Sequence, residues 1–188
     1  MLNTRRSTRV VGVAALISLT WAAAGFAQPQ VNPQAAAIAD FSKRITAYVD
    51  LQKKLTTGLP ILKRTDDPAE IALRETALGE AIRAGRAGAQ PGDILTPEAG
   101  RVFRRVIKHD FRSRTVRGQK VVRDEIPHFR PKINQTYPSA WPLATFPPTL
   151  LAELPALPEG LEYRLLSEAL ILRDVKANII VDFILDVF

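Results

Sequence analysis

LEYRLLSEALILRDVKANIIVDFILDVF closes the chain at residues 161–188. It divides into three apolar runs, LEYRLL, ALILR and ANIIVDFI, parted by Ser167-Glu168 and by Asp174-Val175-Lys176. Short runs rich in β-branched and large apolar residues, bounded by polar separators, predict strands joined by hairpins. On the third run Ala177, Ile179, Val181, Phe183 and Leu185 share one parity. Lys176, Asn178, Asp182 and Asp186 fall on the other, which Ile180 and Ile184 interrupt. Alternation at period two predicts a sheet with one buried face. It also makes Arg173-Asp174 a strand end entering a turn rather than a catalytic pair, since Asp tolerates turn geometry.

Upstream, three helix starts use one device, a capping side chain followed by Pro at the first helical position. Asn32-Pro33 opens the first, Asp67-Pro68 with Glu70 opens the second, and Thr96-Pro97-Glu98 opens the third. The first runs to about Thr57, with Ile38, Phe41, Ile45, Tyr48, Leu51 and Leu55 on one stripe at spacings of 3 and 4. The second runs to about Ala87 and offers Ile71, Leu78 and Ile82 beside an Ala face. The helical part is thus expected over 33–116. Residues 117–147 then carry Pro127, Pro131, Pro138, Pro142 and Pro147, too closely spaced for a helix or a central strand. Because Ile126, Phe129, Ile133, Tyr137, Trp141 and Phe146 are apolar, this segment reads as a strap lying over the bundle. The stretch PSAWPLATFPP within it could instead dock in a partner's groove as a polyproline-type ligand, but packing of its aromatics explains it more economically. Thr149 to Leu154 is expected to form one more short helix.

At the other end, Arg5, Arg6 and Arg9 precede an uncharged run from Val10 to Ala27. A charged start, an apolar stretch and a small-residue exit have the layout of a secretory signal, with cleavage expected after Ala27. The alternative is an inner-membrane anchor formed by residues 10–27, although eighteen residues rich in Ala and Gly are short for a span of about 20. Removing those 27 residues and their three arginines from 26 bases and 19 acids leaves a mature domain, 28–188, of net charge +4. The chain has no cysteine, so disulfides, thiolate metal sites and cysteine nucleophiles are excluded. An apolar fraction of 46% argues against wholesale disorder.

TDDPAEIALRETALGEAIRAGRAGAQPGDILTPE and LATFPPTLLAELPALPEGLEYRLLSEALILRDVKANIIVDFI, together about 75 residues, resemble a family of uncharacterised bacterial exported proteins. The resemblance implies a signal peptide and a layout of helices followed by C-terminal strands. It implies no activity, cofactor or functional residue.

Chemistry-bearing motifs are scarce. The two histidines, His109 and His128, stand in no metal-ligand spacing, and there is no GxSxG, Gly-rich phosphate loop or dinucleotide fingerprint. No cofactor and no metal are expected. His109-Asp110 is the most catalytic-looking doublet, yet neighbours on a helix point about 100° apart, so the carboxylate cannot readily orient that ring. Asp66-Asp67 looks like a metal clasp, but helix capping already accounts for it.

The sharpest contrast is RVFRRVIKHDFRSRTVRGQKVVR, residues 101–123, with nine bases against one acid. Val102, Phe103, Val106, Ile107 and Phe111 form an apolar face, leaving Arg101, Arg104, Arg105, Lys108 and Arg112 as a candidate anion-binding surface. The rest of the mature chain is net acidic, so the run could instead be a solvated helix face whose charges pair with acids of the other helices, since charge runs usually solubilise.

The sequence therefore predicts an α+β protein: an N-terminal bundle of about three amphipathic helices, a Pro-rich strap and a small C-terminal antiparallel meander of three strands. The expected role is a non-enzymatic periplasmic or secreted binding module. Its partner would be an anionic envelope component, whether lipid, polymer or acidic protein, with nucleic acid disfavoured by export. The rivals are an envelope hydrolase built on His109 or His128, and an assembly protein pairing through its last strand as an edge.

Overall fold

In the computed structural model, residues 32–60, 65–138 and 146–188 are described. They belong to one unit spanning Val31–Phe188. The expected signal or anchor, together with residues 139–145 of the strap, Trp141 among them, lies outside the described residues. The helices are α1 (Pro33–Thr57), α2 (Pro68–Gly85), α3 (Pro97–Ser113), α4 (Val116–Glu125) and α5 (Pro148–Glu153), and the strands β1 (Leu161–Leu166), β2 (Ala169–Asp174) and β3 (Ile179–Ile184). The fold class is α+β. All three Pro-led starts are capped as their sequences require: Asn32 accepts from Gln34 N–H at 3.0 Å, Asp67 from Ala69 at 2.9 Å and Thr96 from Ala99 at 3.3 Å. Asp67 is thus occupied as a cap.

The strands form an antiparallel sheet in the order β1-β2-β3. Leu161, Tyr163, Leu165, Leu170, Leu172, Ile179 and Val181 face the helices and pack with Phe41, Ile45, Ile82, Phe103 and Ile107. At the centre the Phe103 ring of α3 lies 5.1 Å from Phe41 of α1 and 5.8 Å from Tyr163 of β1, so one side chain joins three elements. Ile71, expected on the buried face of α2, is instead exposed, because only Leu78, Gly79 and Ile82 of that helix reach the core.

The sheet departs from the expected single buried face. Leu166, Ala169, Ile171 and Ile180 form a second cluster on its far side with Tyr137, against which Phe129 and Phe183 also pack. The strap, expected to lie over the bundle, instead covers this face of the sheet with Phe129 and Tyr137. Asn134 N–H donates to Ile180 O, Ile180 N–H to Gln135 O and Tyr137 N–H to Asn178 O, at 2.8, 2.8 and 2.9 Å. These bonds take up the start of the β3 edge that an assembly through the last strand would need. Arg86, the cap that follows α2, stabilises the same edge, donating to Asn134 Oδ1 at 2.9 Å and Val181 O at 3.1 Å.

The expected parity also fails, for a local reason. Arg173 pairs with Ile180 but Leu172 with Asp182, so Val181 is one residue too many and β3 bulges there. A bulge reverses the alternation beyond it. Phe183 therefore lies on the strap side and Ile184 on the helix side, while Leu185 is exposed and Asp182 is fully buried. Ala177 and Asn178 belong to the turn rather than to the strand, with Asn178 at φ 49°.

The boundary of the strap needs a second correction. Residues 117–125 are helical rather than extended, because α3 ends at Ser113 and Thr115 caps a fresh helix, α4, through Gly118 N–H at 3.1 Å. The strap begins at Ile126. Among the described residues no helix is long and apolar enough to cross a membrane.

On β1, Glu162 receives Arg164 at 2.7 Å and Arg173 at 2.8 Å. Burial pushes its carboxyl up, but the hydrogen bonds and charges of the two arginines outweigh this and hold it below the usual carboxylate range. A carboxyl with a depressed folded pKa adds stability that is fully present above its unfolded value of about 4.3 and is lost as the pH falls through the folded value. Glu162→Gln should therefore lower the thermal midpoint at pH 7, and the gap between parent and variant should close below about pH 4. A gap that stays constant from neutral pH to about pH 3 would contradict this account of the arginine pair.

Candidate functional site

The basic run divides between two helices, and its first half lies on α3. That helix buries Ala99, Gly100, Phe103, Ile107, Asp110 and Phe111. Those positions define its inner side, and at 100° per residue the direction opposite to them carries Arg101, Arg105, Lys108 and Arg112. Successive members of this set are separated by four, three and four residues, so they form one ridge along the helix. Its start is fixed by Asp182, whose carboxylate accepts from the N–H groups of Gly92, Ile94 and Leu95 just before the Thr96 cap, at 2.9, 2.7 and 2.8 Å.

Arg104, the fifth of the predicted cations, does not join the ridge. It points toward the C-terminal tail, where its Nε donates to Leu185 O at 2.8 Å. Of the other four, Arg101 pairs with Glu98 at 3.1 Å while both side chains remain largely in solvent. Exposed pairs of this kind contribute little and exchange readily. Arg105 and Arg112 are exposed and Lys108 is half-buried, and among the described residues none of the three forms an ion pair or hydrogen bond. Nor does any α3 cation reach an acid on another helix: the second pair on this segment, Arg114 with Asp110 at 2.8 Å, is again local. The expectation that acids elsewhere absorb the charge is not met.

On α4, Lys120 pairs with Asp124 at 2.8 Å and Arg123 lies over the Phe111 ring at 4.9 Å, so two more of the nine bases are engaged. The sequence shows the run as continuous, and only the break at Arg114-Thr115 separates the α3 ridge from this extension on α4.

His109 borders a groove of about 380 Å³ shared with Asp110, Ser113, Arg114, Thr149 and Glu153. The residue types suit a hydrolase, but the bonds do not. Asp110 is held by Arg114 at 2.9 and 3.1 Å and by the Thr149 hydroxyl at 3.0 Å, and Ser113 donates to the Asp110 carbonyl at 2.6 Å. His109 is exposed and hydrogen-bonds to neither Asp110 nor Ser113. No activated nucleophile is assembled there. His128 stands apart on the strap, also exposed. Asp110 thus acts as a brace joining α3 to α5, which the Asp110-Arg114 spacing of four could have announced. Among the described residues no group of three His, Cys, Asp or Glu side chains is placed to hold a metal.

Compared with protein-family models, with curated proteins and with solved structures, the chain matches none.

Proposed function

We propose that this protein is an exported, non-enzymatic binding module that holds an anionic ligand on the outward face of α3. The observation that carries the proposal is that Arg105, Lys108 and Arg112 form no ion pair or hydrogen bond among the described residues, on a helix held in place by Asp182, Phe103 and Arg104. Cations held on a rigid element lose little freedom when an anion arrives, so they bind it at a lower entropic cost than cations on a loop. Export is supported by the Arg-led apolar start of the chain and by its resemblance to exported bacterial proteins.

Inorganic pyrophosphate serves as the test ligand. Titrated into isotopically labelled protein at low salt, it should move the backbone amide signals of residues 101–112 in a saturable way, leaving those of β1 to β3 in place. The variant carrying Arg105→Glu, Lys108→Glu and Arg112→Glu should keep its circular dichroism spectrum and lose the response by at least tenfold in affinity, since attraction becomes repulsion. Equal responses in the two proteins, or shifts confined to other elements, would remove α3 as the site.

A further inference from the structure

We infer that the ligand of this face is a linear acidic polysaccharide with one carboxylate per sugar, laid along α3; this rests on the anion-binding reading of the same helix. The cations form a ridge and not a pocket. From Arg101 to Arg112 the helix advances about 16 Å at 1.5 Å per residue. Neighbouring ridge positions stand about 5 to 6 Å apart. A compact anion such as pyrophosphate reaches two of the four side chains at once. Engaging all of them takes charges repeated along a line, one for roughly each ridge position. Three of the four are arginines, whose planar forks pair with carboxylates, as with phosphates, through two parallel hydrogen bonds.

What the ridge lacks separates the possible polyanions. Its aromatic neighbours Phe103 and Phe111 are buried, so the single imidazole of His109 is the one exposed ring on α3, short of the row of rings on which successive bases of a single-stranded nucleic acid stack. None of the exposed large hydrophobic side chains lies on α3: they are Ile71, Leu73, Val116, Val121, Leu151, Val175 and Leu185. A helix that settles on a lipid surface inserts such side chains beside its cations. A hydrated acidic glycan requires neither rings nor apolar anchors. His109, exposed between Arg105 and Arg112 on the same side, adds a ring that can both donate to and accept from sugar hydroxyls.

Calorimetric titration with oligogalacturonates of two to ten units tests the inference. Affinity should tighten at least tenfold from the dimer to about the tetramer and then level off, once the chain spans the four cations. Arg105→Ala and Lys108→Ala should each weaken hexamer binding about fivefold. A length-independent affinity would overturn the polymer while leaving the anion site, provided pyrophosphate still moves the amides of residues 101–112. Loss of the pyrophosphate response would remove both. Tenfold tighter binding to a hexameric oligothymidylate, or to vesicles rich in phosphatidylglycerol, would overturn the glycan in favour of that class.

Discussion

Asp182→Ala is expected to destabilise the fold by about 3 to 5 kcal/mol, read as a lowered urea midpoint with an unchanged slope. The carboxylate has no exposed surface and accepts from three N–H groups of the α2–α3 connection, with a fourth bond from Phe183 N–H at 2.8 Å. Shortening it to a methyl group leaves the Ile94 and Leu95 amides buried without an acceptor. Each such orphan costs about 1 to 3 kcal/mol. Asp182→Asn should cost less, since one oxygen still accepts, but its NH₂ group would face amides that are themselves donors. For a domain of this size, each kcal/mol lowers Tm by about 2 to 4 °C, so the alanine variant should melt roughly 6 to 20 °C below the parent. An effect under about 1 kcal/mol would mean that the connection preceding α3 is held by its own packing and not by β3.

This clamp also shows where sequence reasoning succeeds and where it stops. Asn32-Pro33, Asp67-Pro68 and Thr96-Pro97 declare their helices because the capping bond spans only two or three residues. The three strands are visible for a similar reason, since a hairpin needs only its two runs and a short polar separator. Asp182 was legible as a residue but not as a role. Parity counting assumes an unbroken ladder, and the extra residue at Val181 turns an expected solvent-facing acid toward the core. The second buried face was hidden because it depends on where the strap lies, and the alternation of one strand carries no information about a segment 40 residues away. The cationic surface was legible as a run of charge. Its reduction to Arg101, Arg105, Lys108 and Arg112 was not, because Arg104 differs from its neighbours only through the tail it meets.

Arg173-Asp174 closes β2 at the entrance to the turn, as its sequence predicts; its two side chains hold opposite faces of the sheet, and it carries the second large effect. Arg173 faces the strap, stacking over Tyr137 at 4.7 Å and donating to Asn178 and Glu162. Asp174 faces α1, where it accepts from Tyr48 Oη at 2.7 Å and Gln52 Nε2 at 2.5 Å, besides Ala177 N–H at 3.0 Å. Burial, followed by the Asp174 charge and its hydrogen bond, pushes the Tyr48 phenol far above its ordinary range, which keeps it the donor of this bond. Asp174→Ala should cost about 3 to 4 kcal/mol, because it strands a buried hydroxyl, a buried amide and a backbone N–H together. Tyr48→Phe alone should cost about 1 to 2 kcal/mol, the carboxylate keeping two of its three donors. On the Asp174→Ala background the same Tyr48→Phe change should be close to neutral, since it then removes an orphan rather than a bonded group. That difference is a coupling of about 1 to 2 kcal/mol in a double-mutant cycle of urea unfolding. Strict additivity would show that the two groups merely lie near one another, and that α1 is fixed to the sheet by the packing of Phe41 and Ile45 alone.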